Sequence, residues 1–260
     1  SGYMQLCEGG GLYAQNSTLV VSNTLVRTNR TAQAMQTNSR THGAGVADRG
    51  GSETLSACVI AGNFLNADHG ATVGYGAGVY AAGGASLLLE NVLVATNWMS
   101  GPSKVGLGVT VDGANVRLMQ CTVADNEAEG LRVISGTTGV TNSILWANSD
   151  DVVGTVALGY CDVEDGDGSG SNGNISANPQ FLDRTYYHLS SRTGCYTNGY
   201  FSGGTWTKGS LNSPAIDAGD PASHYQNEPT PNGVRVNMGY DGNTSVASMK
   251  GGAGTILVLQ

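Results

Sequence analysis

Val26-Arg-Thr-Asn29, Ile60-Ala-Gly-Asn63, Val94-Ala-Thr-Asn97, Val123-Ala-Asp-Asn126 and Leu145-Trp-Ala-Asn148 repeat one phrase: an aliphatic residue, two spacers and an asparagine. The asparagines stand 34, 34, 29 and 22 residues apart, so the period is loose along the whole chain. Counted backwards from each asparagine it is tight. Five residues before stand Thr24, Cys58, Val92, Cys121 and Ser143; eight before stand Val21, Leu55, Leu89, Leu118 and Val140. Every row is apolar or small, the mark of a stacked repeat, and this outranks any single motif. Gly11, Gly45, Gly108 and Gly130 each lie 18 residues before their asparagine. Gly78 lies 19 before, which predicts one extra residue near Gly83 and Gly84.

Residues 9–29 read as three short strands, Gly9-Gly-Gly-Leu-Tyr-Ala14, Ser17-Thr-Leu-Val-Val21 and Asn23-Thr-Leu-Val-Arg-Thr-Asn29. Later units open with Gly43-Ala-Gly-Val46, Gly76-Ala-Gly-Val79, Gly106-Leu-Gly-Val109 and Gly130-Leu131. Alternation of period two in about 20 residues leaves no room for a helix. The expected fold is all-β: a right-handed parallel β-helix of three short strands per coil and about six coils, over residues 1–183. The handedness follows from that of parallel crossovers in general. Leucine-rich repeats fail as a rival. They need leucine two residues after the asparagine, where this chain has Thr31, Leu65, Met99, Ala128 and Asp150.

Inserts of unequal length, residues 30–42, 64–75, 98–105 and 127–129, should project from one side of the stack. In the second unit Asp48 and Glu53 fall on inward rows. Unpaired buried carboxylates are costly, so a bulge near residues 49–52 is expected to turn them outward. The sixth unit keeps Val156, Leu158, Cys161 and Val163 but has Gly166 where the asparagine should be. Beyond Asp183 the repeat stops. Residues 184–250 hold many aromatics and are expected to cap the open end of the stack. Residues 251–260 read as a terminal strand that pairs within the cap or leads into a further domain.

Forty glycines and few charged residues suit short strands and tight turns. The net charge of −8 argues against nucleic acid or an anionic membrane surface as partner. No apolar run is long enough for a membrane span. Ser1 to Glu8 lacks the basic and then apolar pattern of a signal peptide, and the expectation is a processed product or a fragment. Cys58, Cys121 and Cys161 lie on the inward row, too far apart for disulfides, and Cys7 and Cys195 remain unassigned.

Candidate chemistry is sparse. Asn148-Ser-Asp-Asp151 is a fragment of the carboxylate set that a polygalacturonase-like hydrolase needs, and the favoured reading of Asp150 and Asp151 is a solvated turn. Arg117 and Arg132, with Asp112, Asp125 and Glu127 nearby in sequence, are the residue types of a Ca²⁺-assisted lyase, but the two arginines fall on different rows. Asp165, Asp167 and Ser169 match the first half of a Ca²⁺ loop. The twelfth position is Ser176 instead of glutamate, so a plain loop is favoured and Ca²⁺ is the alternative. His42 and His69 stand at insert ends, where they could meet across coils. Asn16, Asn29, Asn174 and Asn243 fit the N-glycosylation pattern. The asparagines themselves, Asn29, Asn63, Asn97, Asn126 and Asn148, have a structural reading. Stacked amides can donate to one coil and accept from another, which favours a single register.

The glycine openings and the aliphatic-x-x-Asn closures resemble bacterial right-handed parallel β-helix repeat proteins, in particular the paired repeats of polymorphic outer-membrane and related surface proteins. Several tail motifs are similar to the closing segment of large secreted β-helix proteins. These are Asn178-Pro-Gln-Phe-Leu-Asp183, Tyr187-His-Leu-Ser190, Ser213-Pro-Ala-Ile-Asp-Ala-Gly-Asp-Pro221, Glu228-Pro-Thr-Pro-Asn-Gly233 and Val236-Asn-Met-Gly239. The resemblance implies a secreted or surface-displayed bacterial protein and transfers no catalytic residues. The expected function is a non-enzymatic structural or adhesive module with other protein subunits or surface glycans as partners and a capacity to self-associate. A carbohydrate-binding or polysaccharide-cleaving β-helix is the alternative.

Overall fold

The computed structural model describes residues 6–31, 40–67, 73–101 and 103–251. They form a right-handed parallel β-helix with no helical segment. An eight-stranded sheet runs along one side, with Leu12–Ser22, Val46–Ser56, Val109–Met119 and Leu131–Thr141 as its long members. A six-stranded sheet holds Leu25–Arg27, Val59–Ala61, Leu93–Ala95, Thr122–Ala124, Ile144–Trp146 and Asp162–Val163. A four-stranded sheet holds Leu6–Glu8, Arg40–His42, Val73–Tyr75 and Ser103–Val105.

The third strand of a coil therefore comes from an unexpected place. The first two predicted runs are one strand, Leu12–Ser22, bent at Asn16 (φ 48°) without losing its pairing to Val46–Ser56. Leu6–Glu8 and the ends of three inserts supply the four-stranded sheet instead. Residues 127–129 are too few to do so, and the fifth coil has no strand there. The coil count differs accordingly from six complete coils, since only four strands close the third side. Beside this sheet Leu65, Ala67, Met99 and Ala128 of the inserts build a small second core with Ala44, Ala77 and Leu107 of the glycine openings.

The inward rows fill the main core. Leu55, Leu89, Leu118 and Val140 pack with Ile60, Val94, Val123 and Leu145, and with Cys58, Cys121 and Cys161. Single left-handed residues turn the chain between sheets. Asn23, Ala57, Asn91, Gln120 and Asn142 (φ 46–53°) precede the six-stranded sheet, and Thr28, Thr96, Asp125 and Ala147 (φ 54–59°) follow it. Left-handed backbone costs a non-glycine residue about 1–2 kcal/mol, which the pairing of every turn with the next coil offsets. In the Gly-x-Gly openings the two glycines have different tasks. Gly43 and Gly76 are left-handed (φ 57° and 58°), whereas a Cβ on Gly45 or Gly78 would lie 2.6 Å from a carbonyl oxygen of the next coil. The expected extra residue is present. Ala82 pairs Asp112 and Ser86 pairs Asn115, so three residues oppose two across Gly83-Gly84-Ala85.

The second unit corrects an expectation. Gly50 and Gly51 do bend the strand, but Asp48 (0% exposed) and Glu53 (2% exposed) both face the interior. Asp48 is in register with Ala14 and Ala81, and Glu53 with Leu19 and Leu87. The bend preserves their inward phase on either side of the two glycines.

The closing segment also lies elsewhere than over the end of the stack. It packs along the outer face of the six-stranded sheet. Tyr187 and Tyr240 cover Val59, Ala61, Leu93, Ala95 and Ala124, while Leu189, Ile216 and Met238 cover Ile144 and Trp146. The middle of that sheet is buried on both faces, so Val59–Ala61 and Leu93–Ala95 are apolar throughout. The turn residues on its two borders hold the segment. Asn91 Nδ2 donates to the carbonyls of Tyr240 (2.9 Å) and Gly242 (2.7 Å). Asn142 Oδ1 accepts from Asp220 N (2.6 Å), and Asp125 accepts the Tyr187 hydroxyl (2.6 Å). Beyond Val163 the stack is overlaid by the loop after Asp165, where Asn174 Oδ1 accepts from Cys161 N (2.9 Å) and Ile175 pairs with Asp162. Residues 252–260, and with them most of the predicted terminal strand, lie outside the described residues.

Candidate functional site

On the long sheet the alternation that buries Leu87, Val116 and Thr138 turns their neighbours outward. One outward row reads Thr18, Ser52, Ser86, Asn115 and Thr137; the next reads Val20, Thr54, Leu88, Arg117 and Gly139. From Ser52 and Thr54 to Thr137 and Gly139 they line a groove of about 560 Å³ that crosses several coils. Thr137 Oγ1 donates to Asn115 Oδ1 (2.6 Å), which shows how side chains one coil apart meet along a row. The surface offers small hydroxyl and amide groups at the strand repeat of about 4.8 Å, with one cation, Arg117. Such a face can hydrogen-bond a repeating partner without moving, because every backbone position behind it is fixed by a sheet.

A second constellation occupies the corner between the four-stranded and long sheets. Glu8 Oε1 meets His42 Nδ1 (2.8 Å), and Glu8 also pairs with Arg49. The His42 ring stacks on Tyr80 (4.2 Å between centroids), and the Tyr80 hydroxyl donates to Asp112 Oδ2 (3.0 Å). Burial pushes the Glu8 carboxyl up, but the contacts from His42 and Arg49 outweigh it and hold the group below its ordinary range. Burial, and then the Asp112 acceptor, push the Tyr80 hydroxyl well up. His42 is 2% exposed and its Nε2 has no hydrogen-bond partner among the described residues. With the ring shut beneath Tyr75 and Tyr80, this arrangement braces four coils and offers no open face to a substrate. The predicted partner His69 lies outside the described residues.

The asparagines form a continuous file. The backbone N and Nδ2 of Asn29 both donate to Asn63 Oδ1 (3.0 Å each). The same pair of bonds links Asn63 to Asn97, Asn97 to Asn126 and Asn126 to Asn148. The second Nδ2 proton of Asn97 goes to Ile60 O (3.1 Å), so the carboxamide is fully used.

Asp151 ends the file. It accepts from Asn148 Nδ2 (2.8 Å) and Glu164 N (2.9 Å), and its own N donates to Asp165 Oδ2 (3.0 Å). It is buried, which corrects the solvated-turn reading, whereas Asp150 is exposed. Burial pushes the Asp151 carboxyl up to about 6; the Asn148 amide works against this and the Asp165 charge adds to it. Asp165 Oδ1 also accepts from Asp167 N (3.3 Å), and Ser169 N donates to Gly166 O (2.9 Å), so the loop is held by its own turns. Among the described residues no group of three or more His, Cys, Asp or Glu side chains is placed to hold a metal ion.

The lyase-like residues do not converge. Arg117 lies in the groove, while Arg132 pairs with Glu129 at the corner (2.6 Å). Asp112 serves Tyr80, Asp125 serves Tyr187 and Arg184, and Glu127 serves Lys104 and the Met99 amide. All five cysteines are free. The Cys121 thiol donates to Leu89 O (3.3 Å), and burial pushes it and Cys161 up to about 12. Of the glycosylation-pattern asparagines, Asn29 and Asn174 have their amides committed inside the fold.

Sequence reasoning missed the corner brace, the buried carboxyl pair and the role of Asp151. No family model, no curated protein and no solved structure matches this chain.

Proposed function

We propose that this chain is a non-enzymatic structural or adhesive module of a secreted or cell-surface bacterial protein. The outer face of its long sheet is the display surface. The observation that carries the reading is the pair of outward rows from Thr18 to Thr137 and from Val20 to Gly139, held at strand spacing over a rigid frame. The likeness of its repeats and tail to surface β-helix proteins supports the location. Two exposed apolar side chains support self-association: Val20 and Leu25, 71% and 58% exposed, stand on Leu12–Ser22 and Leu25–Arg27, each of which pairs with one strand among the described residues.

The test is retention on a glycan array and on bacterial or host cells, comparing the native chain with Ser86→Lys/Asn115→Lys. Loss of retention in the folded variant is the expected result, and equal retention counts against the display face. Sedimentation of Val20→Lys against the native chain tests association separately. The alternative, a polysaccharide-acting β-helix, is favoured by the groove and its Arg117. Release of unsaturated sugars from acidic polysaccharides would establish it and displace the first reading.

A further inference from the structure

The last coil of the long sheet is cut short. Leu131 pairs with Val152 and Arg132 with Val153, and the next pairs are Gly139 with Ala157 and Val140 with Leu158. Residues 133–138 therefore stand opposite residues 154–156 alone. Gly154 makes the short cut: its φ is 105°, and a Cβ there would run into Val133 O. Val152–Val153 and Ala157–Gly159 each pair only with Leu131–Thr141 among the described residues, which leaves their far edge open. An open edge is a template for a further strand.

A hollow of about 390 Å³ lies against this edge. Val152, Val156 and Leu158 form its floor; they are the half-buried end of the main core and keep part of their surface open. Asp167, Gly168, Ser171 and Asn172 of the loop after Asp165 form the opposite wall. That loop closes one end only, where Asn174 Nδ2 donates to Leu158 O (3.3 Å) and Tyr160 N to Asn172 O (2.9 Å). Among the described residues no backbone hydrogen bond from it reaches residues 152–156. The rim is acidic. No Lys or Arg stands between Arg132 and Arg184 in the sequence. Burial pushes the Asp167 carboxyl up, the Asp165 and Asp150 charges push it further, and no cation acts against them. The cations of neighbouring elements are engaged elsewhere: Arg132 with Glu129 (2.6 Å), Arg184 with Asp125, and Arg235 with the carbonyls of Ala218 (2.9 Å) and Gly219.

We propose that this edge docks an extended basic peptide of a partner protein, which adds a strand along residues 152–157. One apolar side chain of the peptide enters the hollow over Val152, Val156 and Leu158, and its Lys or Arg side chains meet Asp150 and Asp167. Main-chain bonds to a sheet edge supply the affinity in this mode, and the side chains that fit the flanking hollow supply the selectivity. The acidic rim repels an acidic segment and favours a basic one. The edge at the end of the stack stands or falls independently of the outward rows of the display face.

Calorimetric titration of the whole chain with the end-blocked peptide Lys-Val-Lys-Val-Lys tests it. The controls are Glu-Val-Glu-Val-Glu and the basic peptide N-methylated at both valines, which cannot donate to a sheet edge. The basic peptide should saturate one site below about 1 mM and weaken as salt is added, and neither control should saturate. Asp150→Asn/Asp167→Asn should weaken binding about fivefold or more, and Ala157→Arg, which places a cation on the rim, should abolish it. All three side chains are exposed, and melting of each variant separates lost binding from lost fold. Amide exchange at Val152 and Val156 should slow in the complex. No saturable binding, equal binding of either control, or spermidine binding as tight as the peptide would each overturn the proposal. So would a sedimentation shift of the chain alone on Ala157→Arg, which would give the edge to a second copy.

Discussion

Gly78 and Asn97, 19 residues apart in one coil, face each other so closely that a Cβ on Gly78 would stand 2.8 Å from Asn97 Nδ2. Gly45 stands in the same relation to Asn63 (2.9 Å), and Gly130 to Asn148 (2.6 Å). The glycine-to-asparagine spacing of 18 or 19 residues is thus a contact. The glycine clears the space in which the carboxamide turns to the next coil.

From this follows a graded effect of removing the amides. Asn97→Leu deletes the acceptor of Asn63 N and Nδ2 and the donor to Asn126 and Ile60. Each buried group left without a partner costs about 1–3 kcal/mol, so a loss of roughly 3 kcal/mol or more is expected. Asn29→Leu, at the start of the file, removes only one of the two donors to Asn63 Oδ1, which keeps the bond from Asn29 N, and should cost about 1 kcal/mol or less. Thermal melts of the two variants check the order; equal melting temperatures would mean that the file carries no stability.

Acid should stabilise this fold. Burial, and then the Glu53 carboxyl beside it, push Asp48 up to about 8. Burial foremost pushes Asp162 and Glu228 up to about 7 and Asp151 to about 6. Between the ordinary carboxyl range and these values the folded chain holds more protons than the unfolded one. Their contribution is therefore whole near the ordinary carboxyl range, about pH 4, and is lost as pH rises through the folded values, the last of them Asp48 at about 8. Glu8 and Glu127, held below their ordinary range, act in the opposite direction only at lower pH. A melting temperature several degrees higher at pH 5.5 than at pH 9 is expected, with Asp48→Asn reducing the difference by raising stability at pH 9 by ~1–3 kcal/mol. A flat native profile across that range would contradict the buried carboxyl pair.

The loop after Asp165 gives a test by metal removal. Asp165 already receives the amides of Asp151 and Asp167, so a chelator should shift the melting temperature by less than about 1 °C. A larger fall that added Ca²⁺ restores would assign the loop to the ion instead.

The rows that face inward were legible in the sequence because burial on one side forces a regular pattern of apolar and small residues. Other features hide for physical reasons. Val59-Ile-Ala61 and Leu93-Val-Ala95 have no polar position, and that continuity was the available sign of a sheet covered on both faces. The corner brace joins Glu8, His42, Arg49, Tyr80 and Asp112, which only the stacking of coils brings together. Asp48 defeats the rule against buried acids because a carboxyl that stays protonated loses most of its desolvation cost.

Docking of the closing segment should depend on the left-handed turn residues more than their position at a sheet border suggests. Asn142 combines φ 52° with two side-chain bonds, accepting from Asp220 N (2.6 Å) and donating to Ser223 Oγ (2.9 Å). Its own carbonyl receives Gly239 N (2.8 Å), next to Tyr240, which is wholly buried. Asn142→Gly keeps the backbone conformation and removes only the side-chain bonds, so it isolates the clamp at about 1–3 kcal/mol. Asn142→Ala adds the strain of a left-handed alanine, about 1 kcal/mol more. Tyr240→Ala removes a fully buried ring and should cost about 3–5 kcal/mol. In all three, amide hydrogen exchange should rise first around Gly219 and Met238, because these pair with the rest of the segment, and later at Leu93–Ala95, which it covers. Uniform acceleration across the whole chain would mean that segment and solenoid open as one unit, and the clamp would then have no separate role.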